Sequence, residues 1–284
     1  MPAPKAKAIA TGTCSLHTRF RAMQTTTEHI RRPPLMLALS EGPRAMLELS
    51  YLSVTALLLR QAPRGDGHPV LVLPGFVTSD RSTRLLRLYL DDLGYEAHGW
   101  KLGRNLGPKA VGARGERLMR RLLSINRATR SKVSLVGWSL GGVMARELAR
   151  QAPHAVRQVI TLGSPFTGNP RASTVSSLYE RLTGDVIDSD LMAERLAVGS
   201  TPPPVPSTAI FSRSDGIVPW RNCVEPPGEQ TDNIEVCSSH CGLGVNPAVL
   251  FAVADRLAQP EGQWSRFRRD GWRAAVYPSS GHLQ

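Results

Sequence analysis

The sequence predicts an α/β protein: a mostly parallel sheet of about six strands with helices on both faces. Three observations carry this. Short apolar, β-branched runs recur along the chain, as in "PVLVLPG" and "KVSLVGW". Leucine-spaced helical patterns separate them. Runs apolar throughout, rather than alternating, belong to strands buried on both faces, and that requires a parallel sheet with right-handed crossovers.

The elements follow in order. Residues 1–33 are polar, basic and Pro/Ala-rich, and are expected to form an unstructured extension, with Met23 as a second candidate start. No apolar core follows the early lysines, so a secretory signal peptide is not expected. Residues 34–62 are a helical segment. Within it, 35–59 are apolar, interrupted by Glu41, Arg44 and Glu48 and broken at Pro43. The clean stretch after Glu48 is too short for a membrane span. The segment either packs on the domain or lies on a membrane surface.

The core is expected over 63–258. "PVLVL" opens it as the first strand, and a helix over 80–93 follows, capped by Ser79 or Asp80. "YEAHGW" (95–100) is the second strand. A basic helix over 108–130 carries Leu118, Leu122 and Ile125 on its apolar side. Strands at 132–138, 156–165, 207–215 and 233–237 come next, with helices at 141–151 and 246–258. An insertion at 166–206 carries two helical patterns, 174–182 and 189–198. It is long for a plain connection, and such connections are usually functional. Its apolar residues line a pocket or form a satellite core. Residues 259–284 are a tail with Trp264, Phe267, Trp272 and Tyr277, which pack over an edge or cover the site.

Charge narrows the function classes. The formal net charge is +12. Between Lys101 and Lys132 ten basic residues face only Glu116. The stretch is a solvated helix face or an anion-attracting patch. It lacks interleaved aromatics and any nucleic-acid motif, so no nucleic-acid partner is expected.

In such sheets ligands bind beyond the carboxyl ends of the strands. "GWSLGG" places Ser139 there, on a sharp strand-to-helix turn that pushes its hydroxyl outward. Gly137 and Gly141 leave room for that turn. A serine nucleophile needs a base held by an acid. His240 follows the sixth strand in "SSHCGLG", and Asp215 ends the fifth in "SRSDGIVP". Asp185, Asp188 and Asp190 lie in the insertion, and Asp232 precedes a strand, so they are worse placed. The N–H groups of Leu140 and of Phe76 in "LPGF" are the expected oxyanion donors.

With four motifs in this order, the chain resembles an α/β-hydrolase of the bacterial lipase and esterase kind over about residues 69–258. The resemblance implies an α/β-hydrolase fold, a helical cap insertion and ester cleavage through an acyl-enzyme. Two departures stand out. The usual two leading strands are missing or replaced by the helices at 35–59, and Pro74 stands where a histidine often precedes the oxyanion glycine.

The resulting expectation is a carboxylic ester hydrolase acting on a small-molecule or lipid ester. Acyl transfer, thioester cleavage and polyester depolymerisation are alternatives on the same triad. A non-catalytic lipid- or membrane-binding domain, with peripheral membrane contact, is the alternative from another class. Trp138, Leu178, Tyr179, Leu182, Ile187 and Leu191 are the candidate substrate contacts. No cofactor or metal is required; Cys237 and Cys241 flank His240 but lack a second ligand pair. Among the cysteines, a Cys223–Cys241 disulfide joining the acid and base loops is preferred to Cys223–Cys237, with three free thiols as the alternative. A cytoplasmic or membrane-peripheral location is expected; oligomeric state is left open.

Overall fold

The computed structural model describes residues 30–184 and 197–279. The expectations for Ile187, Leu191, the three insertion aspartates, most of the 189–198 helical pattern and residues 1–29 fall outside them.

Six strands form one sheet: β1 (Pro69–Leu73), β2 (Glu96–Gly99), β3 (Val133–Trp138), β4 (Val156–Leu162), β5 (Ser207–Phe211) and β6 (Thr231–Glu235). Their spatial order is β2-β1-β3-β4-β5-β6, and every pairing is parallel. The order reverses direction beside β1, so the strand ends near β1 and β3 border the crevice expected of an open α/β sheet.

The α-helices that lie wholly within the described residues are α1 (Leu35–Leu39), α2 (Glu41–Leu59), α3 (Arg84–Asp92), α4 (Pro108–Val111), α5 (Glu116–Thr129), α6 (Leu140–Gln151), α7 (Ser176–Thr183), α8 (Pro247–Leu257) and α9 (Arg273–Val276). Side chains alternate across each strand, and this divides the core in two. Val70, Val72, Val136, Ile160 and Ile234 pack with Leu86 and Leu90 of α3 and with Val249, Val253 and Leu257 of α8. Leu71, Leu73, Leu135 and Val159 face the other way, onto Leu118, Leu122 and Ile125 of α5 and Ala145 and Leu148 of α6. Uniformly apolar strands are thus buried on both faces. Arg117, Arg120, Arg127 and Arg130 of the basic stretch are exposed.

Several boundaries differ from the sequence reading, each for a local reason. The helix expected over 108–130 is split where Gly112 and Gly115 adopt φ of 92° and 74°, outside helical space. The first crossover helix begins at Arg84, and Asp80 does not cap it. Its carboxylate instead accepts the N–H groups of Trp100 (2.9 Å) and Lys101 (3.1 Å), tying the turn after β1 to the end of β2. Pro43 breaks nothing, because it lies in the first turn of α2, where a missing N–H costs no helical bond. Asp232 lies within β6, accepting the Phe267 N–H at 2.6 Å.

Helix α2 also reverses the usual polarity. Glu41 and Glu48 are buried, while Met46, Leu47, Val54 and Leu57 face outward. The 259–279 segment packs on α8 and the β6 edge. Phe267 and Tyr277 are buried there, and the Tyr277 hydroxyl donates to the Ala248 carbonyl at 2.8 Å. No described helix is long and apolar enough to cross a membrane.

One buried ion pair ties the core to the insertion. Arg146 of α6 pairs with Glu225, stacks on Phe166 at 3.7 Å and donates to the Thr201 carbonyl at 2.8 Å. Burial lowers its pKa to about 10 despite Glu225. Removing one partner leaves a buried charge without compensation. Glu225→Ala is therefore expected to cost about 3–5 kcal/mol in urea unfolding, and the double change Arg146→Met with Glu225→Leu much less.

Candidate active site

The turn after β3 is the most strained point of the site. Ser139 sits at φ 53° and ψ −123°, a region that a residue with a Cβ seldom occupies. Its N–H donates to the Leu162 carbonyl at 2.8 Å, and its carbonyl accepts the Gly142 N–H at 3.0 Å. Three glycines make this turn possible by close approach. A Cβ on Gly137 would lie 2.4 Å from the Gly142 Cα, and one on Gly141 would lie 2.5 Å from the Leu73 carbonyl oxygen. On Gly142 it would fall 2.0 Å from Ser164 Oγ. These neighbours are mostly backbone, which has nowhere to move.

The acid and base expected from the sequence come together across two strand ends. His240 Nδ1 lies 2.6 Å from Asp215 Oδ2, and both residues are buried. The other Asp215 oxygen accepts the N–H groups of Ile217 (2.8 Å) and Val218 (2.7 Å), which fixes the carboxylate plane. Burial alone would lower the His240 pKa. The charge and hydrogen bond of Asp215, and then the charge of Glu41, outweigh burial, so it is raised. Trp138, next to Ser139, donates from Nε1 to the His240 carbonyl at 3.1 Å. This bond joins the serine turn to the histidine loop, and Trp138 is not among the residues that wall the cavity beside Ser139. Ser139 Oγ makes no hydrogen bond among the described residues, as is common in sites without substrate.

The loop after β1 lies against the serine. A Cβ on Gly75 would be 3.4 Å from Ser139 Cβ. The N–H groups of Phe76 and Leu140 find no acceptor among the described residues. Two residues that the sequence reading passed over shape this region. Buried Asn105 donates from Nδ2 to the Pro74 carbonyl at 2.8 Å and accepts the Val77 N–H on its carbonyl at 2.8 Å. Val77 is held at φ 55°, an unusual conformation for a β-branched residue. Gly163, after β4, sits beneath the acid–base pair: a Cβ there would lie 3.2 Å from both Asp215 Oδ2 and His240 Nδ1. A glycine ending a strand, in "TLGSP", was the available signal for it.

A cavity of about 590 Å³ opens beside Ser139, walled by Phe76, Val111, Val143, Met144, Phe166 and Tyr179 among others. Tyr179 also packs on Phe76 at 5.3 Å between ring centroids. Leu178 and Leu182 do not reach the cavity; one turn of α7 carries them to the exposed side. The Cys223–Cys241 disulfide is not formed. Cys223, Cys237 and Cys241 are free thiols, and Cys223 is buried against Phe211 and Val218, away from the surface where Cys241 lies. Among the described residues no group of three or more His, Cys, Asp or Glu is placed to hold a metal ion.

A second Ser–His–Asp set occurs at the opposite end of the sheet. His68 bonds Asp66 through Nδ1, and its Nε2 lies 2.8 Å from Ser134 Oγ. Ser134 is wholly buried in β3, its φ is not in the left-handed region, and it does not line the cavity beside Ser139. Burial lowers the His68 pKa, and Arg157 offsets much of the help from Asp66. The two histidine–aspartate pairs thus shift in opposite directions, because burial prevails at His68 and the Asp215 charge and hydrogen bond prevail at His240.

The fold has likenesses among known proteins. Residues 116–194 match the family described as a PGAP1-like alpha/beta domain. No curated protein matches the chain by sequence. Among solved structures, lipase B of Aspergillus fumigatus is similar with 18% identity and a TM-score of 0.53, over 69% of this chain and 53% of that one. The chain therefore spans about half the length of the fungal enzyme. The mature lipase BlEst2 of Bacillus licheniformis is similar with 18% identity and a TM-score of 0.50, over 70% of this chain and 95% of that one.

Gly141→Ala tests the turn directly. The added methyl meets backbone, so about 1–3 kcal/mol of stability is expected to be lost. Ser139 should also lose its labelling by a fluorophosphonate, read by intact-protein mass. What the chain shares with these lipases is architecture, and that architecture is the α/β-hydrolase fold.

Proposed function

We propose that the protein is a serine hydrolase of carboxylic esters. The observation that carries this reading is the buried His240–Asp215 pair at 2.6 Å, tied through the Trp138 indole to the turn where Ser139, at φ 53°, borders a cavity with apolar walls. In this reading Ser139 Oγ attacks the ester carbonyl while His240 Nε2 takes its proton. Asp215 holds the Nδ1 proton and stabilises the imidazolium. The N–H groups of Phe76 and Leu140 receive the oxyanion. His240 then protonates the leaving alkoxide, and the same base activates water to free the acid and restore Ser139.

The apolar wall of Phe76, Val143, Met144, Phe166 and Tyr179 suits an acyl chain of short to medium length. The solved structures of similar architecture are lipases, which supports an ester as the substrate.

Hydrolysis of a p-nitrophenyl ester series from acetyl to palmitoyl tests the reading. Ser139→Ala is expected to lower kcat/KM about 10⁴-fold or more, with the wild-type optimum below the longest chains. Equal activity of the two proteins would remove Ser139 from the mechanism.

The pH dependence has a definite sign. Only neutral His240 accepts the serine proton, and its pKa is raised above 6.5. The acid limb of kcat/KM should therefore lie above 6.5, and Asp215→Asn should move it down. Folding shows the opposite trend. A raised pKa contributes stability that is full below the unfolded-state value and lost as pH rises through the folded one.

A further inference from the structure

Helix α2 reaches the acid–base pair with a carboxylate that the triad does not use. We propose that Glu41 is a positioning residue that locks the Asp215 turn to the His240 loop and sets the charge behind the imidazole. This extension rests on the serine-hydrolase reading above.

The contacts are specific. Glu41 Oε1 accepts the N–H of Gly216 at 2.8 Å and the N–H of His240 at 3.1 Å, and Oε2 accepts the N–H of Cys241 at 2.8 Å. One side chain therefore bonds the residue after the acid, the base itself and the residue after the base. These three N–H groups lie in two loops about 200 positions along the chain from Glu41, and nothing else satisfies them among the described residues. Arg44, one turn on, donates to Glu41 at 3.4 Å and to the Ser214 carbonyl at 2.7 Å, so it grips the acid turn from its other side.

Glu48, two turns along the same face, completes the clamp. It accepts the Ser239 N–H at 2.7 Å, the Ser238 hydroxyl at 2.5 Å and the Asn246 amide at 2.9 Å. The backbone is shaped for both. A Cβ on Gly216 would lie 2.5 Å from the Leu37 carbonyl, and one on Gly242 would lie 2.2 Å from the Glu48 carboxylate.

Such a clamp affects chemistry in two ways. It fixes the imidazole within the narrow tolerance that proton transfer needs; a misplacement of about 1 Å can cost 10²-fold in rate. It also places a second negative charge near His240, which adds to that of Asp215. The groups facing His240 are Asp215 from the β5 turn, Glu41 and Arg44 from α2, the Cys241 thiol, and Trp138 from the end of β3; Glu48 holds the two preceding residues. A merely structural peg would affect stability alone.

The test uses the full chain and the rate of Ser139 labelling by a fluorophosphonate as a function of pH, beside ester kinetics. Glu41→Gln keeps the shape and removes the charge. It is expected to lower kcat about 10–10²-fold with KM within about two-fold, and to move the acid limb to lower pH. Glu41→Asp should restore part of the charge effect. Arg44→Met keeps the Glu41 carboxylate and its three N–H bonds, removes the positive charge and the bonds to Glu41 and the Ser214 carbonyl, and should move the limb the other way, to higher pH. If Glu41→Gln does not fold, the Arg44→Met profile decides alone. Limbs unchanged in every folded variant, beside a wild type that labels normally, overturn the proposal and leave the hydrolase reading intact. A wild type whose Ser139 does not label at any pH overturns both.

Discussion

The close approach of backbone around Ser139 is the constraint on which the rest depends. A residue at φ 53° is costly unless surrounding structure over-determines it. Here β3 leads in, α6 leads out, and the carbonyl of Leu73 on β1 lies so near Gly141 that no side chain fits between them. The hydroxyl is thereby presented at the cavity with the start of α6 behind it. The loop after β1 follows from the same contact, since Gly75 rests against Ser139 and Asn105 fixes that loop from below. Strain in one turn thus sets the positions of the serine and of both proposed oxyanion donors.

Electrostatics then separates this end of the sheet from the other. Each end carries a histidine bonded to an aspartate. At His240 the acid is buried, fully bonded and supported by Glu41, and the imidazole is raised. At His68 the acid is half-exposed and shared with Arg157, and burial prevails. Three side chains in line are therefore not enough to mark a candidate site; access, backbone and charge environment differ between the two ends.

Helix α2 shows how a pattern can be read correctly and understood the wrong way round. In the sequence its glutamates look like interruptions of an apolar segment. In the fold they are the buried face, and many of the apolar residues are outside. Free N–H groups in the acid and histidine loops need an acceptor once buried, and two carboxylates meet that need better than leucines would. Cys241 fits the same picture: its N–H is held by Glu41, and partial burial of the thiol together with the nearby Glu41 charge raises its pKa to about 11. The loops are joined by carboxylate hydrogen bonds and not by a disulfide.

The parallel sheet was legible in the chain's local pattern, because only strands buried on both faces read as unbroken apolar runs. The same pattern also placed Ser139, Asp215, His240 and the Phe76 loop at strand ends, because those turns have local glycine and proline signatures. Tertiary structure alone decided what those turns face. Gly163 under the acid–base pair, Asn105 under the oxyanion loop, Glu41 across the two loops and the turning of Leu178 and Leu182 away from the cavity all depend on contacts between segments far apart in the chain. Local periodicity reports which face of an element is apolar. It carries no information about which distant backbone groups will be buried beside it and left in need of a partner.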